Sequence, residues 1–170
     1  IYGQLKQYLH ENQPEDENRL RLYEDAMLPL AKLYQIDKAM EEALSTHVWL
    51  KSGGYLVIEP TEAMTVIDVN TGKYTGKKNK RDTILKINLE AAAEISHQMR
   101  LRNLSGIILV DFIDMEEKED QELLMKTLAV QCARDPVKTT VVDMTRLNLV
   151  EITRKKIRKP LHEQVRLFGR

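Results

Sequence analysis

At 170 residues the chain is long enough for one domain with a real hydrophobic core, or for one domain and a piece of another. Its 26 lysines and arginines balance 26 aspartates and glutamates, so total charge says nothing about partners, while the single cysteine, Cys132, excludes an intrachain disulfide and any cysteine-cluster metal site within these residues. No apolar run is long enough to span a bilayer and no signal-peptide pattern opens the chain, which points to a cytoplasmic protein.

Charge is unevenly placed. The first fifty residues carry nine acids against five lysines or arginines, and from Arg146 to Arg170 eight basic residues face only Glu151 and Glu163. An asymmetry of that kind points to nucleic acid at the basic end. The chain begins with Ile1 rather than methionine, as a piece of a longer protein would.

In chain order, Leu5, Tyr8 and Leu9 lie at helical spacing, and the acidic segment around Pro14 ends that helix. Arg19-Leu20-Arg21-Leu22-Tyr23 alternates polar and apolar and predicts a short half-buried strand. A helix is expected from about Leu28 to Leu44, broken near Gln35-Ile36-Asp37, with Leu30, Leu33, Tyr34, Met40, Ala43 and Leu44 as its buried stripe. None of these residues carries chemistry, and the whole stretch reads as a packing layer.

Val48-Trp49-Leu50 predicts a strand, Gly53-Gly54 a bend, and Tyr55-Leu56-Val57-Ile58 a second strand closed by Glu59-Pro60. The next run, Met64-Thr65-Val66-Ile67-Asp68-Val69-Asn70, predicts a third strand, antiparallel to the second because the connection is short. Residues two apart in a strand point to one face, so Asp68 and Asn70 set two oxygen ligands side by side. Such a pair suits a hard cation such as magnesium. The same pair also suits an Asx-turn at a strand end. Beyond Gly72, the loop to Arg81 has five basic residues (Lys73, Lys77, Lys78, Lys80, Arg81) and no acid. It reads either as a solvated loop or, beside Asp68, as a phosphate-contacting one.

Asp82 or Thr83 is expected to cap a long helix to about Arg102, with Ile84, Ile87, Ala91, Ile95 and Met99 as its apolar stripe. Asn88 falls on or beside that stripe and reads as a structural bridge, while His97 reads as exposed. After Gly106, Ile107-Ile108-Leu109-Val110 predicts a central strand buried on both faces, ending in Asp111. A carboxylate there is costly unless it is paired or binds a metal. Asp114 follows as a helix cap or a supporting group around the site. A second helix (about Glu117 to Ala133), a strand at Thr139–Met144 and a strand entering the basic run at Arg154 complete, from Tyr55 onward, a ββαβαββ order, an α/β domain with a mixed sheet. Ligands gather at the carboxyl ends of strands in such sheets, where both Asp68 and Asp111 fall. No Walker A loop, GxGxxG or nucleophile elbow is present. Acidic strand ends, an amide and basic loops together suit metal-assisted phosphodiester chemistry.

Longer motifs sharpen this. The run from Ser52 to Gly72 (SGGYLVIEPTEAMTVIDVNTG) resembles the catalytic region of the ribonuclease E/G family, as do Asn88-Leu89-Glu90-Ala91, Arg100-Leu101-Arg102-Asn103-Leu104, Val110-Asp111-Phe112-Ile113-Asp114-Met115 and Leu149-Val150-Glu151-Ile152-Thr153-Arg154-Lys155. The likeness is continuous from about Leu20 to Arg158. It implies a DNase I-like subdomain with a mixed sheet flanked by helices (51–159), preceded by part of an RNase H-like subdomain (1–50) and followed by a tail (160–170). It also implies a magnesium-dependent endoribonuclease that cuts single-stranded, A/U-rich RNA to 5′-phosphate and 3′-hydroxyl ends. The family's two metal-holding aspartates fall on Asp68 and Asp111 and its assisting asparagine on Asn70. Asp114 is in the motif but is the weaker candidate for direct ligation.

The family's S1 RNA-binding domain, its 5′-monophosphate sensor and its CPxC zinc-link are not in these residues, so the resemblance supports a homo-oligomer only for a longer protein. On this reading Lys73, Lys77, Lys78, Arg146, Arg154 and Lys155 contact RNA phosphates. Tyr74 is the aromatic residue expected to stack on a base, with Phe112 in the core. The rival reading is an RNA-binding fragment that is inactive without the S1 and sensor domains.

Overall fold

The computed structural model describes residues 1–72 and 80–168. They form two compact units, Ile1–Met40 and Glu41–Arg170.

The first unit is helical. Helix α1 is Tyr2–Asn12, as the spacing of Leu5, Tyr8 and Leu9 predicts, but no residue in it is buried. The expected strand at 19–23 does not form. Pro14 starts a 3-10 helix, Pro14–Arg19, with Glu15, Asp16 and Glu17 in its first turn, and Asp16 pairs with Arg19 at 2.9 Å. Residues 20–25 beyond it take no regular structure, and no strand forms among residues 1–40 for their alternation to pair with. The expected helical break is present: α2 (Leu30–Leu33) and α3 (Ile36–Leu44, whose last four residues belong to the second unit) are separated by Gln35 in the left-handed region, φ +50°. Of the stripe expected to be buried along them, only Ala43 is.

The second unit is built on a six-stranded sheet of β1 (His47–Trp49), β2 (Tyr55–Pro60), β3 (Met64–Asn70), β4 (Gly106–Asp111), β5 (Thr139–Met144) and β6 (Leu149–Arg154). The spatial order is β1-β2-β3-β4-β6-β5. The β3–β4 pair is parallel and the other neighbours are antiparallel. The parallel pair needs a crossover, which α4 (Lys80–Leu101) supplies. Asp82 and Thr83 thus lie within the first turn rather than before it. Helix α5 (Lys118–Cys132) links β4 to β5, and α6 (Leu161–Phe168) is tied back by the Leu161 N–H donating to the Arg102 carbonyl at 2.8 Å.

The core follows from period-2 alternation meeting helical stripes. Leu56, Ile58, Ile67, Val69, Ile108, Val110, Val150 and Ile152 point to one face and are buried there with Ile87, Ala91, Ile95 and Met99 of α4 and Leu124, Leu128 and Cys132 of α5. Each fully buried aliphatic side chain of this kind contributes about 1.5–3 kcal/mol.

Among the described residues the opposite face is open. Strand β4 is central but not buried on both faces: Ile107 is 48% exposed and Leu109 only half-buried, because α4 and α5 pack against the same side of the sheet. Across this open face the alternating partners of the core residues line up, among them Val66, Asp68 and Asp111.

Candidate active site

Strand β3 forms because Thr65, Val66, Ile67 and Val69 are β-branched and fit a pleated surface. Thr65, Ile67 and Val69 turn inward, which forces Asp68 outward and leaves Asn70 at the rim of the same face. In the β3–β4 ladder Asp68 is the direct partner of Asp111. The two carboxylates therefore sit side by side at the carboxyl ends of adjacent parallel strands. Asn70 Nδ2 donates to Asp68 Oδ2 at 2.7 Å, which fixes that carboxylate and joins the amide to the pair.

Electrostatics fit the geometry. Partial burial, with Asp68 and then Asp114 close by, pushes the Asp111 carboxyl above its ordinary value. Two neighbouring carboxylates that resist ionising together fit a cation between them, and a hard divalent ion takes such oxygen donors. Among the described residues no group of three or more His, Cys, Asp or Glu side chains is close enough to hold an ion alone. Two carboxylates are what a magnesium ion uses when substrate phosphates and water complete its shell.

The segment that follows β4 is held from behind. Asn88, fully buried on α4, accepts from the Ile113 N–H at 3.2 Å and donates to the Ile113 carbonyl at 2.8 Å. It is the structural bridge its place on the apolar stripe predicts. Gln121 of α5 donates to the Met115 carbonyl at 2.8 Å. Phe112 is buried, as expected. Asp114 reaches the β5–β6 turn, where Asn148 Nδ2 donates to its Oδ1 at 3.3 Å. The other flank depends on glycine. A Cβ on Gly54 would lie 2.7 Å from the Asn70 carbonyl oxygen, so only glycine lets the start of β2 approach the end of β3. Glu90 of α4 anchors that bend by accepting from the Lys51 and Ser52 N–H groups at 2.6 and 3.0 Å.

The basic residues separate. Arg146 is exposed in the β5–β6 turn, close in sequence to Leu149, the ladder partner of Asp111. It lies at the carboxylate end of the sheet. Arg154 does not fit the phosphate contact expected of it. Its parity in β6 is that of Val150 and Ile152, so it points inward and is buried. Its Nε donates to Asp135 Oδ2 at 2.8 Å, and its Nη1 to Asn103 Oδ1 at 3.0 Å and the Leu104 carbonyl at 2.9 Å. Lys155 is exposed, but about 20 Å along β6 from Leu149, at the far end of the sheet. Arg81 is committed to Asp120 through two hydrogen bonds of 2.8 and 3.0 Å. Lys73, Tyr74, Lys77 and Lys78 lie outside the described residues. The expectations built on the sequence missed Gln121 and Asn148 as supports, and an aromatic strip on the open face, since those neighbours are made only by packing and strand register.

Residues 1–157 match the model of the ribonuclease E/G family. The chain belongs to the ribonuclease E/G family. It is 44% identical over 160 residues to Ribonuclease G of Haemophilus influenzae, an alignment covering 94% of this chain and 32% of that protein. It is 41% identical over 160 residues to Ribonuclease G of Escherichia coli K12, with the same two shares of 94% and 32%. Against Ribonuclease E of Nostoc sp. the identity is 45% over 141 residues, 83% of this chain and 20% of the relative. The chain thus spans 32% or less of the length of these three ribonuclease E/G relatives. Among the described residues no helix is long and apolar enough to cross a membrane.

Proposed function

We propose that this chain is the catalytic region of an endoribonuclease that cleaves single-stranded, A/U-rich RNA with magnesium, in the cytoplasm, leaving 5′-phosphate and 3′-hydroxyl ends. We further assign residues 51–159 to a DNase I-like subdomain, with residues 1–50 the end of an RNase H-like one and 160–170 a tail. The observation that carries the reading is the Asp68–Asp111 pair on one open face, with Asn70 bonded to Asp68. Family membership supports it, since the relatives are named as ribonucleases. Homo-oligomers belong to this proposal only for the longer protein.

Asp68 and Asp111 would hold the ion through carboxylate oxygens, directly or through water. Magnesium bound there supplies Lewis-acid polarisation of the phosphate and a water of lowered pKa. Asn70 keeps Asp68 in orientation with its N–H, and its carbonyl oxygen is an acceptor that can align the attacking water. Attack would form a bond from the water oxygen to phosphorus as the bond to the 3′ oxygen breaks; the water gives up a proton, and the leaving 3′ oxygen takes one up from solvent to become the 3′-hydroxyl. Arg146 is a described cation at the carboxylate end of the sheet and can position the strand through its phosphates. Lys73, Lys77, Lys78 and Lys155 remain proposed phosphate contacts.

The test is cleavage of a 5′-monophosphorylated, A/U-rich single strand in Mg²⁺ and in EDTA, by the wild type and by Asp68→Asn. Cuts that need Mg²⁺ and vanish in the variant support catalysis. Salt-sensitive binding with no cuts by the wild type would leave the chain as an RNA-binding fragment.

A further inference from the structure

The open face carries a feature that cleavage does not use. In the ladders Trp49 of β1 faces Tyr55 of β2, and Tyr55 faces Asn70 of β3. Cross-strand partners project to the same side, so the aromatic pair and the site amide share one face. The Trp49 and Tyr55 rings lie 5.2 Å apart, tilted by 53°, and His47 lies 5.8 Å from Tyr55 at 31°. Trp49 is 72% exposed, although tryptophan is highly buried on average. It is also the only tryptophan in the chain. Strands pack about 4.8 Å apart, so the Trp49 backbone is about 10 Å from that of Asn70, within reach of a neighbouring nucleotide of a strand bound at the acidic pair.

We propose that His47, Trp49 and Tyr55 form a stacking platform for unpaired bases of the RNA strand held at Asp68 and Asp111. The proposal rests on the nuclease reading of that site and adds how the strand is gripped. A sheet face bearing exposed aromatic rings recognises single strands through the π-face that every base has, with little preference for sequence. A paired duplex keeps its bases stacked on one another, so the platform also selects single-stranded RNA. The occupant follows from continuity: the strip begins one strand away from the amide of the catalytic pair and runs to the edge of the sheet.

Trp49 is its own reporter. The 170-residue chain carrying Asp111→Asn, which leaves the strand uncut, is titrated in Mg²⁺ with a single-stranded oligoribonucleotide while Trp49 emission is followed. An oligomer of equal length and charge with abasic sites is the control. Quenching by the base-bearing strand alone is expected. Trp49→Ala should weaken binding of the labelled strand by about five- to 150-fold, and Trp49→Phe should restore most of it. Thermal unfolding should be unchanged, since Trp49 is exposed. On the otherwise wild-type chain, Trp49→Ala should raise KM for cleavage and spare kcat.

Equal emission changes with both oligomers, or wild-type affinity in Trp49→Ala, overturns the platform. Emission that changes with protein concentration in the absence of RNA, together with sedimentation as a dimer, also overturns it, because the strip is then a protein interface. Each of these results leaves the nuclease reading standing if cleavage still requires Mg²⁺ and Asp68. If cleavage requires neither, that reading fails, whatever Trp49 does.

Discussion

Asp68 and Asp111 are ladder partners across a parallel strand pair, so two carboxylates that repel each other are held together by backbone register. Burial and the neighbouring acids disfavour the ionised form of Asp111 in the folded state. Such a group works against the fold at neutral pH, which a carboxylate kept for structure does not. Asp111→Asn should therefore leave the melting temperature of the metal-free protein unchanged or raise it. The same substitution should lower cleavage by on the order of 100-fold or more, since a metal site supplies several kcal/mol at the transition state. Differential scanning calorimetry beside a cleavage assay decides the matter. A clear drop in melting temperature would show Asp111 to be structural.

Asn88 supports the segment that follows Asp111. Its amide satisfies both backbone groups of Ile113, two residues beyond Asp111, from within the core. Asn88→Ala leaves these groups without partners, at a cost of about 1–3 kcal/mol. Because the Asp111–Asp114 stretch loses its support, kcat should fall while KM changes little. Urea unfolding and steady-state cleavage test both effects, and unchanged kcat in a destabilised variant would confine Asn88 to stability.

Much of this arrangement is legible in the sequence because burial and chemistry follow one rule in a strand. Thr65, Ile67 and Val69 fix the inward parity of β3, and the same count places Asp68 outward. Parity would also have sent Arg154 inward with Val150 and Ile152, yet within a basic run its charge reads as surface. What parity cannot give is register. Trp49, Tyr55 and Asn70 are separated along the chain, and only the paired ladders make them neighbours. The alternation at residues 19–23 shows the converse, since a strand pattern without a strand to pair with makes no strand.

Gly72 guards the end of β3. It sits at φ +65°, and a Cβ there would run into the Gly53 carbonyl oxygen. The left-handed conformation alone costs a residue with a Cβ about 1–2 kcal/mol, and the clash adds to it. Gly72→Ala should therefore be destabilised by more than about 1 kcal/mol and lose activity through displacement of nearby Asn70. Gly3→Ala, in helix α1 where a Cβ meets nothing within 4 Å, is the control and should not be destabilised. Equal urea midpoints for the two variants would remove the argument.

Arg154 and Asp135 form an ion pair at 2.8 Å with both side chains almost fully buried. Removing one partner of such a pair strands the other charge, so Arg154→Ala should cost about 3–5 kcal/mol, whereas Lys155→Ala should be close to neutral. Burial alone would raise the Asp135 carboxyl, but hydrogen bonds from Arg154, the Val137 N–H and Thr139 hold it below the usual range. A carboxyl depressed in the folded state binds fewer protons there than in the unfolded chain. Its contribution is then complete above the unfolded value of about 3.9 and is lost as pH falls through the lower folded value. Wild-type stability should thus decline on acidification below about pH 4, and the decline should be shallower in Arg154→Ala, whose Asp135 lacks the guanidinium. Urea midpoints across that range, read beside RNA binding, also separate the two roles given to Arg154. A phosphate contact would flatten the salt dependence of binding when removed, whereas a buried partner of Asp135 leaves the salt dependence of the folded fraction as it was.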